Sequence, residues 1–303
     1  MTAELIIVGA GTAGVSAALW ARSLHLDVQL IEDGPEPGGQ LLHVYFHPRE
    51  IPGVPAGDGR AIAGTYARQL AEAGIPVRYG AHAQSLEPGE RPGLVLADGS
   101  RADARALLIA CGARRRRLGV PGELELAGHG VSYSATRDRD QLAGKRVVVV
   151  GGGDAAFENA LLLAAAGCEV TLLARGSVRA RREFRERLAA EPRARVLEHT
   201  RVLAVLGDSE LRALRVADAG GERELACAGV VVKLGVEPNT EWCRERLAHD
   251  AEGYLVVNAR FATSAQGVWA AGDVVRPLRA SVPVAAGHGA LAAAAIRAAL
   301  RET

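Results

Sequence analysis

Two short apolar runs, each broken by a glycine cluster and followed by apolar residues at helical intervals, restrict the fold of this chain more than any other feature. Leu5-Ile6-Ile7-Val8 leads into Gly9-Ala10-Gly11-Thr12-Ala13-Gly14, and Val15 to Leu24 then carries the helical spacing. Lys145 to Val150 leads into Gly151-Gly152-Gly153-Asp154-Ala155-Ala156, followed by helical spacing over Phe157 to Ala166. Strand, glycine turn and helix in that order predict the crossover that opens a nucleotide-binding α/β sheet. In the first unit Gly9 permits the tight bend, Gly11 lets a pyrophosphate approach the backbone, and Gly14 allows close helix packing. The helix start at Thr12 and Ala13 offers unpaired N–H groups to negative charge. A second strand, Asp27 to Ile31, ends at Glu32, where a carboxylate accepts the hydroxyls of an adenosine ribose.

The second unit repeats the order with a different charge. Gly151, Gly153 and Ala156 take the three small-residue positions, with Asp154 and Ala155 opening the helix. After the strand Glu169 to Leu173, the acid is replaced by Ala174 and Arg175. Arg175, with Arg179 and Arg181 close behind, favours a 2′-phosphate, unless these are simply exposed helix arginines. Two fingerprints with opposite charge at the ribose position predict two dinucleotides: FAD in the first unit, and NADPH in the second with NADH as the other candidate.

The remaining segments fill in around these units. Gly38-Gly39-Gln40 opens a loop to Pro55, either an ordinary surface loop or backbone laid against a flat ligand. A helix is expected from Arg60 to Ala73, with strands at Pro76 to Tyr79, Leu94 to Leu96 and Ala106 to Ile109, ending at Ala110-Cys111-Gly112. Arg114 to Arg117 is a basic run leading into a linker, and it either docks an acidic electron carrier or is merely solvated. Short β-rich runs occupy Val196 to Val232, and Gly235 to Asn239 turns the chain back toward the first domain. Gly272-Asp273 follows a strand, so Asp273 either holds a ribityl hydroxyl or is a surface acid. A final alanine-rich helix runs to Leu300, and its N-terminus would stabilise negative charge on a reduced flavin.

Composition removes several classes. At 303 residues the chain is long enough for two packed domains. A formal charge of +1 argues against nucleic acid as a partner. The first apolar run is too short and too early for a signal peptide or a membrane span, so a cytoplasmic location away from membranes is expected. Cys111, Cys168, Cys227 and Cys243 are scattered without a Cys-x-x-Cys pair and read as small core residues. His43 and His47 lack partners at ligand spacing, and no metal site is expected.

Taken in order, Gly9 to Gly14, Gly38-Gly39-Gln40, Ala110-Cys111-Gly112, Gly151 to Ala156, Gly235 to Asn239 and Ala271-Gly272-Asp273 resemble the low-molecular-weight thioredoxin reductase family over essentially the whole chain. The resemblance implies an α/β fold of two Rossmann-like, three-layer ββα nucleotide-binding domains. An FAD domain of residues 1–114 and 241–303 would be interrupted by an NAD(P)H domain of residues 115–240. The resemblance also implies a homodimer, rotation between domains during turnover, and FAD contacts at Gly39, Gln40, Cys111, Gly112, Gly272, Asp273 and Ala280.

One departure bears on mechanism. The family carries Cys-Ala-Thr-Cys-Asp where this chain has Ser134-Ala135-Thr136-Arg137-Asp138. A serine forms no disulfide and an arginine resolves none. The candidate catalytic residues are therefore Ser134, Arg137, Asp138 and Cys111, with electrons expected to leave the flavin directly for ferredoxin, flavodoxin, a quinone or a small molecule. Arg137 would hold an anionic acceptor, stabilise reduced flavin, or form a salt bridge to Asp138 or Asp140. The other readings are a flavin-bound sensor that has lost catalysis, and a disulfide reductase working through Cys111.

Overall fold

The computed structural model describes residues 3–54 and 56–302. In chain order the first stretch forms β1 (Leu5–Val8), α1 (Thr12–Ser23), β2 (Val28–Ile31), α2 (Gly59–Glu72), β3 (Val77–Arg78), β4 (Ala83–Glu87), β5 (Gly93–Leu96), β6 (Arg101–Asp103), β7 (Ala106–Ile109) and β8 (Ala113–Arg115). The middle stretch forms β9 (Val131–Ser132), α3 (Ala135–Leu142), β10 (Arg146–Val150), α4 (Asp154–Ala165), β11 (Glu169–Leu173), α5 (Arg182–Ala189), β12 (Ala194–Leu197), β13 (Arg201–Gly207), β14 (Leu211–Asp218), β15 (Gly221–Ala226) and β16 (Gly229–Val232). The last adds β17 (Val236–Pro238), β18 (Val268–Ala270) and α6 (Val282–Glu302).

The chain divides into two compact units, residues 1–114 with 237–303, and residues 115–236. The second crossing falls at 236/237 rather than after residue 240. The reason is local: Asn239 Nδ2 donates to the Cys111 carbonyl at 2.8 Å and Thr240 Oγ1 to the Gly253 carbonyl at 2.7 Å, which ties this segment to the first unit.

In the first unit a parallel sheet has the order β3-β2-β1-β7-β18, with the antiparallel β4-β5-β6 as a separate layer. β1, β7 and β18 are apolar at every position because both faces are covered, as expected of a parallel sheet, while β2 and the edge strand β3 carry Gln29 and Arg78. Leu5, Ile7, Leu30 and Leu108 pack with Ala17, Ala18 and Ile296 from the helices, while Ile6, Val8, Leu107 and Ile109 pack with Leu86, Leu94 and Leu96 of the antiparallel layer. α6 is long and apolar enough to cross a bilayer, yet its Ala292, Ala293 and Ile296 are buried in the core shared with α1.

The second unit repeats this plan with the order β12-β11-β10-β16-β9 and the antiparallel β13-β14-β15. Val147, Val149 and Leu172 face Phe157, Ala160 and Leu163, whereas Val148 and Val230 face Leu214 and Val216. The alternation that splits each strand between two cores follows from the two-residue period of extended chain.

Candidate functional site

In the first unit the glycines of the turn after β1 do different jobs. Gly9 has φ +103, and a Cβ there would come within 2.5 Å of the Ala110 carbonyl oxygen. A Cβ on Gly14 would run into the Gly9 carbonyl, so helix and turn meet with no room between them. Gly11, in contrast, has nothing within 4 Å of its Cβ position, which leaves an open face over the N-terminus of α1. Thr12 accepts a hydrogen bond from the Tyr66 hydroxyl at 3.2 Å, a contact from α2 with no sequence signal.

Three distant segments converge on this turn. Gly38 N donates to the Ala10 carbonyl at 2.8 Å, and Gly39, with φ +54, places its Cβ position 3.2 Å from Gly11 Cα. Glu32 accepts the Ala10 N–H at 2.6 Å and the Gly34 N–H at 2.8 Å, one on each carboxylate oxygen. Gly272 has φ +84 and puts its Cβ position 2.6 Å from the Ala13 side chain, which seats Asp273 above the start of α1.

Asp273 is the most informative group. Its Oδ2 accepts from Gln40 Nε2 at 2.9 Å, but its Oδ1 is buried with no partner. Burial raises its pKa above the usual carboxylate range against the opposing pull of His288 and the Gln40 hydrogen bond. His288 Nδ1 is likewise buried and unpartnered, its ring lies 5.0 Å from that of Phe261, and burial lowers its pKa against the attraction of Asp273. A buried carboxylate oxygen without a donor calls for one from a ligand. The open helix N-terminus, the spare lone pairs of Glu32 and the unpaired Asp273 oxygen together fit the phosphates, ribose and polyol hydroxyls of FAD.

The other residues expected around this site are placed as follows. Gly112 takes φ +63 and its carbonyl accepts Asn239 N at 3.1 Å, while Ala280 is exposed just before α6. Cys111 donates its Sγ–H to the Asn239 carbonyl at 3.0 Å, and burial, then the neighbouring Cys243, push its pKa up to about 12. Such a thiol carries almost no thiolate at neutral pH, which opposes a disulfide reductase working through Cys111.

In the second unit the turn after β10 places Gly151 at φ +151, and both Arg179 N and Ala180 N donate to the Gly152 carbonyl, at 2.6 and 3.1 Å. The buried Ala156 of α4 puts its methyl group 3.1 Å from the Cβ position of Gly151, the exposed Ala155 follows Asp154 at the start of the helix, and Gly153 has open space at its Cβ position. The arginines behind the turn separate. Arg181 is committed to Asp154, through its N–H and its Nε, each at 2.7 Å, and this holds Asp154 below the usual carboxylate range. Arg175 and Arg179 are exposed and remain the candidates for a 2′-phosphate.

Ser134 to Asp138 form a helix start. Ser134, 7% exposed, caps α3 by accepting Arg137 N at 3.4 Å, and its own N–H donates to Ser132 Oγ at 3.0 Å. Arg137 pairs with Asp138 through Nε at 2.6 Å and Nη2 at 2.8 Å, and Ser132 Oγ donates to the same carboxylate. Burial raises the Asp138 pKa, but the hydrogen bonds from Arg137 and Ser132 outweigh it and hold the group low. Asp140 pairs instead with Arg139. The basic run is also largely engaged: Arg114 with Glu237 and Glu241, Arg115 with the Tyr133 carbonyl, and Arg116 with the Val236 carbonyl.

Residues 3–289 match the family described as pyridine nucleotide-disulphide oxidoreductase. The chain is 36% identical over 296 residues to the thioredoxin reductase of Treponema pallidum, covering 96% of this chain and 94% of that protein. It is 30% identical to an NADH dehydrogenase of Ferdinandcohnia aciditolerans, covering 96% of this chain but 56% of that protein. Among solved structures it resembles thioredoxin reductase from Lactococcus lactis, with a TM-score of 0.83, 26% identity and full coverage of both chains.

Proposed function

The chain belongs to the pyridine nucleotide-disulphide oxidoreductase family, as a flavoprotein oxidoreductase of thioredoxin-reductase type with FAD and NADPH as its cofactors, and we propose that its acceptor is not a disulfide. The first unit is the FAD domain and the second the NADPH domain of a homodimer. FAD, when bound, would supply the redox chemistry between NADPH and a non-disulfide acceptor, for which ferredoxin, flavodoxin, a quinone and a small molecule are the candidates.

The chain's own residues position and tune. The start of α1 and the open face at Gly11 take the diphosphate, Glu32 takes the adenosine ribose, and Asp273, oriented by Gln40, takes a ribityl hydroxyl. Gly151 to Ala156 take the nicotinamide dinucleotide, and Arg175 and Arg179 its 2′-phosphate. Ser134, Arg137 and Asp138 hold the start of α3.

The observation that carries this reading is a second fingerprint kept intact in a chain without a Cys-x-x-Cys pair. Anaerobic NADPH should bleach the flavin absorbance, and an added one-electron acceptor or quinone should restore it, while thioredoxin should not. Recovery with thioredoxin would refute the reading, as would flavin that neither NADPH nor NADH reduces.

A further inference from the structure

We propose that His288 is a positioning residue of the flavin site, which keeps the Asp273 carboxylate available as an acceptor for FAD and so makes the hold on the flavin depend on pH. The role rests on the reading of Asp273 as the contact for a ribityl hydroxyl. His288 belongs to α6 and Asp273 to the single turn Gly272–Val275 after β18, and each sits beside a glycine pressed onto the start of α1. A Cβ on Gly289 would run into the Ala13 carbonyl oxygen, and one on Gly272 would meet the Ala13 side chain at 2.6 Å. Ser16 Oγ closes the same junction by donating to the Ala286 carbonyl at 2.7 Å. Two glycines seated on one residue bring the imidazole and the carboxylate close enough for each charge to act on the other.

The imidazole sits where an apolar side chain would cost less. The Phe261 ring lies 5.0 Å from it, and Nδ1 is buried without a partner. Phe261 itself has φ +61, in the left-handed region that favours glycine, and its backbone is locked there. Its N–H donates to the Asn258 carbonyl at 3.0 Å, its carbonyl accepts Ala270 N at 3.0 Å, and Asn258 Oδ1 accepts the N–H groups of Arg260 and Ala262 at 2.8 and 3.1 Å. Such strain persists only where the surroundings impose it, and it collects at ligand sites. The other charges on these elements lie elsewhere or are taken. Arg22 is in the last turn of α1, and the next charged residue of α6 after His288 is Arg297, about two and a half turns on. Arg260 and Arg279 are exposed, Arg276 is paired with Asp250 and Glu252, and Glu32 accepts the Ala10 and Gly34 N–H groups. Burial raises the Asp273 pKa, and the charge of His288, ahead of the Gln40 hydrogen bond, opposes it.

Linkage fixes the sign. FAD needs a carboxylate oxygen that accepts, so its binding favours ionised Asp273; affinity is full above the raised pKa of that group and falls as pH drops through it. Protonated His288 favours the same ionised form and holds the fall to lower pH. FAD affinity of the stripped protein, read from quenching of FAD fluorescence from about pH 5 to 8, tests this without turnover. His288→Leu should bind FAD about tenfold more weakly at the acid end, the equivalent of one pKa unit at Asp273, with little change at the alkaline end. His288→Gln, polar but uncharged, should follow His288→Leu. In Asp273→Asn, whose amide oxygen accepts without ionising, replacing His288 should change nothing further. Equal weakening at every pH would make His288 a structural residue and overturn the proposal, as would wild-type affinity of His288→Gln at the acid end. FAD affinity unchanged in Asp273→Ala would instead overturn the ribityl reading of Asp273 together with this inference.

Discussion

Replacing Asp273 with alanine should separate flavin binding from folding, with opposite signs in the two measurements. Oδ2 already has its donor from Gln40, so the proposed contact with FAD would fall on one open acceptor, the buried Oδ1. A hydrogen bond to a charged acceptor contributes about 2 kcal/mol, so losing it should weaken FAD binding about thirtyfold. In the FAD-free protein the same change removes a half-buried carboxylate with an unpaired oxygen, and exposed Gln40 turns to water. Its stability should therefore hold or rise. Because burial raises the folded pKa of Asp273, its contribution to the FAD-free protein is most favourable below the ordinary carboxylate pKa. That contribution is lost as pH rises through the raised value, so the advantage of Asp273→Ala should grow toward neutral pH. Reconstitution of stripped protein, followed by quenching of FAD fluorescence, gives the affinity, and thermal unfolding of the FAD-free form gives the stability. Unchanged FAD affinity would refute the reasoning, and so would a loss of stability in the FAD-free variant.

Three further outcomes follow from the geometry. Cys111, with its pKa near 12, should resist iodoacetamide in the native protein at pH 7.5 and react only on unfolding, and Cys111→Ser should keep flavin reduction by NADPH, as stopped-flow absorbance would report. Arg137→Ala breaks a pair that is 44% exposed on the arginine side, so it should cost at most about 1 kcal/mol in thermal unfolding and leave the flavin reduction rate unchanged; a large fall in that rate would give Arg137 a direct role. Alanine at both Arg175 and Arg179 should weaken NADP⁺ binding about tenfold or more with little effect on NAD⁺, whereas Arg181→Ala should chiefly raise the Asp154 pKa and loosen the start of α5.

The features legible in the sequence share one property: their physical requirement is local. Gly9 and Gly14 are demanded by backbone contacts within the turn and its neighbouring strand, so the glycine spacing announced them. The four-residue apolar run Leu5-Ile6-Ile7-Val8 reads as a strand covered on both faces because nothing in it alternates. That Ser134 and Arg137 cannot form a disulfide is likewise visible, since that bond needs sulfur at both positions. Other roles were open on the sequence alone. Ser134 as a helix cap, Arg181 turned to Asp154, and Arg137 paired with Asp138 rather than Asp140 each needed side-chain directions that spacing does not determine.

The sequence by itself determined two units of strand, glycine turn and helix, and the different charge, Glu32 against Arg175, that follows the second strand of each, because these features lie within one crossover. Only the tertiary structure decided which polar groups are buried and unmet. Gln40 and Asp273 lie far apart in the chain, as do Ser16 and Ala286, and each pair meets only after separate strands and loops have packed. Burial, and with it the raised Asp273, the lowered His288 and the silent Cys111 thiol, is created by residues distant in sequence. Desolvation depends on everything that surrounds a group, and that is a property of the folded chain.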